Sequence, residues 1–162
     1  MDKGTRGEAR LHIDVPPERL YDVVTDVCRM GEWSPECVAC DWLEGATGPA
    51  VGARFRGRNK HGIARWSTKP EVVTAAPGRE FAFVIRHLGR DMTKWTYRFE
   101  PADDGTDLTE SFEMLRDLPV YFRLTDRWFM GVKDRKADLE TNMSQTLERI
   151  KAAAEARGGA ET

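Results

Sequence analysis

The sequence predicts an α+β domain in which one curved antiparallel sheet wraps a long C-terminal helix. Three observations predict it. Residues 38–115 read as strands broken by short Gly, Pro, Asn and Asp turns; an apolar stripe at helical spacing follows; a lone strand and two short helices precede both. Loops so short join antiparallel neighbours, because a parallel crossover needs a dozen or more residues. One amphipathic helix covers seven strands only if the sheet curls round it, and curling leaves a space where small molecules bind.

The first strand is residues 8–14, where Ala9, Leu11 and Ile13 alternate with Glu8, Arg10 and His12, the period of a half-buried strand. Pro16 and Pro17 then open a helix, PPERLYDVVTDV, since proline is tolerated where a helix has no use for its missing N–H. Leu20, Val23, Val24 and Val27 form its apolar stripe, and a second short helix or turn covers Cys28–Gly31. Six strands follow: VACDWL, ARFRGR, IARWSTKPEVVTA, FAFVIRH, MTKWTYRFEP and LTESFEML. Pro70 inside the long fourth strand of the chain implies an edge or a bulge there. The last helix shows Val132, Leu139, Met143, Leu147, Ile150 and Ala154 on one stripe, with Thr125 or Asp126 as its N-cap and Gly158–Gly159 as its stop. One domain spans residues 1–162, with a core at 8–156 and fraying expected at 1–7 and 158–162.

At 162 residues the chain can bury about 70% of its unfolded surface, enough for a core and an internal pocket. Lys plus Arg total 25 and Asp plus Glu 27, a net charge of −2 that gathers neither nucleic acid nor anionic lipid. Arg54, Arg56, Arg58 and Lys60 share one parity opposite Phe55 and Gly57, so they are expected on a solvated convex face. No apolar run approaches a membrane span, the N-terminus lacks a secretory apolar region, and the expected location is cytoplasmic. Cys28, Cys37 and Cys40 are expected as free thiols. Cys37 and Cys40 have CxxC spacing, but three apart on a strand they should face opposite sides, so neither metal nor cofactor is expected.

Several motifs carry a resemblance. GEWSPE at 31–36, the GP, VG, RF, G and N positions across 48–59, and WTYRFEP followed by DGTDLTES resemble the polyketide cyclase/dehydrase and lipid-transport family of the START-like, helix-grip superfamily that includes Bet v 1-like proteins. The likeness runs over about residues 8–156. It implies a helix-grip fold with a ligand pocket, and members that include lipid carriers, hormone receptors and aromatase/cyclases.

Parity puts Trp95, Tyr97 and Phe99 on one face of their strand and Phe81, Phe83 and Ile85 on one face of theirs. Glu110 shares parity with Leu108, Phe112 and Met114, and a carboxylate facing a pocket is costly unless paired or protonated. Burial would raise its pKa and suit it to proton transfer, with Tyr97 as a partner for a ligand carbonyl. The competing reading keeps Glu110 near its turn, in solvent. The expected cavity lining is Trp33, Trp66, Phe83, Trp95, Tyr97, Phe112 and Met114 from the sheet side, and Trp128, Leu139 and Met143 from the helix side. Trp33 and Trp128 are placed at the mouth by the helix-grip resemblance.

The expected function is binding of an apolar or aromatic small molecule, lipid- or polyketide-like, by a monomer or homodimer. A second reading is a polyketide aromatase/cyclase or dehydratase using Glu110 and Tyr97; the apparent lack of an inward histidine or arginine weakens it. A third is a protein-interaction module built on residues 118–131.

Overall fold

A computed structural model describes residues 1–121 and 134–158. The elements run β1 (Arg6–Ile13), α1 (Pro17–Thr25), a 3-10 helix (Val27–Glu32), β2 (Cys37–Trp42), β3 (Phe55–His61), β4 (Ala64–Thr68), β5 (Glu71–Ala76), β6 (Glu80–His87), β7 (Arg90–Ala102), β8 (Gly105–Met114) and α2 (Arg135–Gly158). All the strand pairings are antiparallel, in sheets of order β1-β8-β7-β6-β5 and β2-β3-β4.

The strand expected to run from Ile63 to Ala75 is two strands, β4 and β5, which makes eight strands among the described residues. Pro70 is the reason. It has no N–H to give a ladder, so pairing stops at Lys69–Pro70 and the chain passes from one sheet to the other. The carbonyl of Pro70 still works: Phe55 N–H donates to it at 3.2 Å. That bond, the Arg54–Glu71 bridge and the two bonds joining Val72 to Gly52 and Ala53 stitch the sheets together.

Strand β8 alternates as its sequence requires, with Leu108, Glu110, Phe112 and Met114 buried and their neighbours partly exposed. Helix α1 starts on Pro17 with no side-chain cap and presses Tyr21 onto Phe99 and Phe81, ring centroids 5.5 and 6.5 Å away. The N-terminal residues expected to fray are tied down: Gly4 N–H donates to the Met114 carbonyl and the Met1 carbonyl accepts from Leu118, while Arg6 and Gly7 already belong to β1.

The stripe on α2 is realised as read: Leu139, Met143, Leu147, Ile150 and Ala154 are all buried. Val132, Thr125, Asp126 and Gly159 lie outside the described residues. The helix does two different things along its length. Leu147, Ile150 and Ala154 join the main core with Ile13, Leu20 and Phe81, whereas Leu139 and Met143 join a smaller cluster with Phe112 and Met114. The C-terminal half of the helix therefore closes on packed side chains, and its N-terminal half faces a hollow.

Candidate functional site

The hollow is a cavity of about 880 Å³ between the N-terminal half of α2 and strands of both sheets. That falls within the range of small-molecule sites. Its wall is mostly apolar: Phe55, Phe83, Ile85, Trp95, Met114 and Leu139 contribute, and Met30 and Leu118 add to it from outside the sheets.

Glu110 and Tyr97 are direct cross-strand partners on β8 and β7. Both are buried, at 4% exposure each, and both line the cavity. The Tyr97 hydroxyl donates to Glu110 Oε1 at 2.8 Å, while Glu110 Oε2 is buried with no hydrogen-bond partner among the described residues. Burial raises the Glu110 pKa to about 8, against a smaller downward pull from the Tyr97 bond. Burial likewise pushes the Tyr97 phenol well up, with the Glu110 charge adding to it. At neutral pH the carboxyl is thus mostly protonated. Its Oε1 accepts from Tyr97, which leaves the acid proton to Oε2.

Of the other expected lining residues, Trp66, Phe83, Trp95, Met114, Leu139 and Met143 border the cavity. Two do not. Trp33, 1% exposed, sits in the main core under the Arg29 guanidinium, 5.6 Å from its ring. Phe112 packs behind the wall, its ring 5.6 Å from that of Trp95. Trp128 lies outside the described residues.

Polar residues at the cavity include several that hydrophobic parity overlooks. Arg135, Asn142 and Thr146 line it from α2, on the stripe that carries Leu139 and Met143; the same three-and-four spacing, extended to polar residues, would have found them. Arg65 of β4, Arg86 of β6 and Arg135 of α2 all border the cavity, as does His87, so the inward arginine and histidine that the sequence alone did not supply are present. The Arg135 guanidinium spans both oxygens of Glu36, at 2.5 and 2.9 Å, and reaches Asp138 at 2.7 Å. Glu36, His61 and Asp138 lie close enough together to hold a cation, but Arg135 already occupies Glu36 and Asp138. This cluster anchors the start of α2 to the segment before β2.

The two buried thiols depart from the parity argument. Cys37 Sγ lies 3.1 Å from Cys40 Sγ, and both border the cavity. A bulge at Val38 is the cause: Cys37 pairs with Asn59 but Ala39 already pairs with Arg58, so one extra residue turns both sulfurs to the same side. Among the basic residues of β3, Arg56, Arg58 and Lys60 are exposed as expected, and Arg58 is paired with Asp41 at 2.7 Å.

Antiparallel sheets gripping one long helix around an apolar cavity define the helix-grip, Bet v 1-like fold. The chain belongs to the polyketide cyclase/dehydrase and lipid-transport family, whose sequence pattern matches residues 5–155. Among solved structures it is 35% identical to the Polyketide_cyc-like protein Cgl2372 of Corynebacterium glutamicum, over 97% of this chain and 95% of that one, with a TM-score of 0.63. Two more distant structures share the fold. Ginseng major latex-like protein 151 of Panax ginseng is 16% identical over 93% of this chain and 97% of its own, TM-score 0.69. The di-domain ARO/CYC StfQ of the steffimycin biosynthetic pathway is 17% identical over 95% of this chain and 51% of its own, TM-score 0.73. No curated protein matches the sequence. No helix among the described residues is long and apolar enough to cross a membrane.

Proposed function

We propose that this protein binds an apolar or aromatic small molecule carrying a hydrogen-bond acceptor, such as a ketone oxygen, inside the cavity. The observation that carries this is the unpartnered Oε2 of a buried, protonated Glu110 in an otherwise largely apolar wall. A buried donor without a partner costs about 1–3 kcal/mol. A ligand carbonyl would remove that cost, while the rings of Phe83 and Trp95 take up its apolar part. Native mass spectrometry of freshly purified protein tests the reading. It is expected to show a co-purifying compound that is lost on denaturation and bound more weakly by Glu110→Leu; a neutral hydrocarbon bound equally by both proteins would overturn the role of Glu110.

The same residue supports a second reading, a cyclase or dehydratase acting on a polyketide-like substrate. A carboxylic acid with a pKa near 8 is suited to give a proton to a developing enolate or hydroxyl leaving group near neutral pH. Product analysis with a poly-β-keto thioester decides it: wild type is expected to alter the product distribution and Glu110→Gln to restore the uncatalysed one. Identical products from the two proteins would leave binding as the function.

A further inference from the structure

We propose that Cys37 and Cys40 form a redox-active dithiol in the cavity wall, which a low-molecular-weight disulfide oxidises to an intramolecular disulfide. Their sulfurs are 3.1 Å apart, and closing to a bond of about 2.05 Å needs only a small side-chain movement. The Val38 bulge holds both on one side of β2. Across the ladder stands Gly57, where a Cβ would lie 3.7 Å from each sulfur, so no side chain separates the thiols there. Both thiols are buried, at 6% and 3% exposure, yet both border the cavity, and a small apolar reagent that fits the cavity meets them without unfolding the sheet. The proposal stands on the cavity wall and is independent of which ligand the cavity takes.

The two thiols are also unequal. The hydrogen bond from Cys40 lowers the Cys37 pKa, while the same contact and burial raise that of Cys40. Cys37, also the more exposed of the two, is the attacking sulfur. Its thiolate attacks one sulfur of the reagent, forming a mixed disulfide and expelling one thiolate. Cys40 then gives up its proton and attacks Cys37 Sγ, expelling the second. The protein loses two electrons and two protons; the reagent gains both and leaves as two thiols.

The test uses 4,4′-dithiodipyridine on the folded protein carrying Cys28→Ser, which removes the exposed third thiol. The expected result is release of two equivalents of 4-thiopyridone with unchanged near-ultraviolet circular dichroism, a mass lower by two hydrogens, and Cys37 and Cys40 in one crosslinked peptide that dithiothreitol separates. The further change Cys40→Ser is expected to stop the reaction at one equivalent, with the pyridyl group retained on Cys37. Two retained pyridyl groups without a crosslink would overturn the proposal. So would no release until the protein is unfolded.

Discussion

Tyr97 and Glu110 face each other across the β7–β8 ladder, and their side chains share one hydrogen bond of 2.8 Å where both are buried. The pair is a consequence of register. Thr93↔Met114 through Ala102↔Gly105 form one unbroken antiparallel ladder, so once the DDG turn fixes the hairpin, residue 97 must oppose residue 110. The phenol stabilises the carboxylate form of its neighbour, and burial opposes it more strongly.

Removal of the phenol therefore has a direction. In Tyr97→Phe, Glu110 loses the bond that lowers its pKa and keeps the burial that raises it, so its titration midpoint is expected to move above about 8. The carboxyl is left without that partner, at a cost of about 1–3 kcal/mol in stability. Carbon-13 NMR of the Glu110 carboxyl against pH reads the midpoint. A downward move would mean that the bond favours the neutral acid.

The raised pKa also makes stability depend on pH. Unfolded, Glu110 titrates near 4.5; folded, near 8. Between those values the folded chain holds more protons than the unfolded chain, so stability falls as pH rises. The Glu110 contribution is complete below pH 4.5 and is lost as pH rises through 8. Each unit of separation corresponds to about 1.4 kcal/mol. His12, whose pKa the Asp107 bond raises, gives a slope of the same sign in wild type and variant alike. The expected outcome is that Glu110→Gln flattens the fall in urea-unfolding free energy across this window relative to wild type. Parallel curves for the two proteins would show Glu110 ionised in the fold.

The reach of the sequence is clearest in the difference between β8 and β2. Period-2 alternation in LTESFEM grouped Glu110 with Leu108, Phe112 and Met114 but left a solvent position open to it; the ladder runs uninterrupted, and Glu110 is buried with the other three. The same rule applied to CVAC set Cys37 and Cys40 on opposite faces, and the single bulged residue Val38 reversed the result. Parity survives only as long as register does. Trp33 shows a second limit: it lies between a 3-10 helix and β2, where no period applies, and only the three-dimensional packing puts it in the core. The grip of the helix and a hollow beside Leu139 and Met143 were readable from the stripe and the curl of the sheet, whereas the extent of that hollow was not. A cavity is a deficit of volume between elements, and no single element records it.

Close approach of backbones predicts a contrast between two glycines. A Cβ at Gly105 would lie 2.3 Å from the Ile13 carbonyl oxygen, while one at Gly48 would meet nothing within 4 Å. The β1–β8 ladder must move to admit the first, at about 1–3 kcal/mol or more, because the atom it meets is backbone. Gly105→Ala is expected to lower the melting temperature by several degrees and Gly48→Ala to leave it almost unchanged. Equal melting of the two variants would show that the start of β8 is looser than this packing.

The two halves of α2 should respond differently to the same loss of volume. Leu147, 1% exposed, is enclosed by the main core, so Leu147→Ala opens a new void and is expected to cost about 2–5 kcal/mol. Met143 is equally buried but borders the existing cavity. Its truncation enlarges a space already present, so it forfeits fewer packing contacts and falls at the low end of that range. Urea unfolding of the two alanine variants measures the difference, and an apolar probe titrated into each tests its cause. Met143→Ala should accept a bulkier probe than wild type, whereas Leu147→Ala should lose more stability without gaining that capacity. A Met143→Ala protein as unstable as Leu147→Ala would mean that the N-terminal half of the helix is packed as tightly as the other.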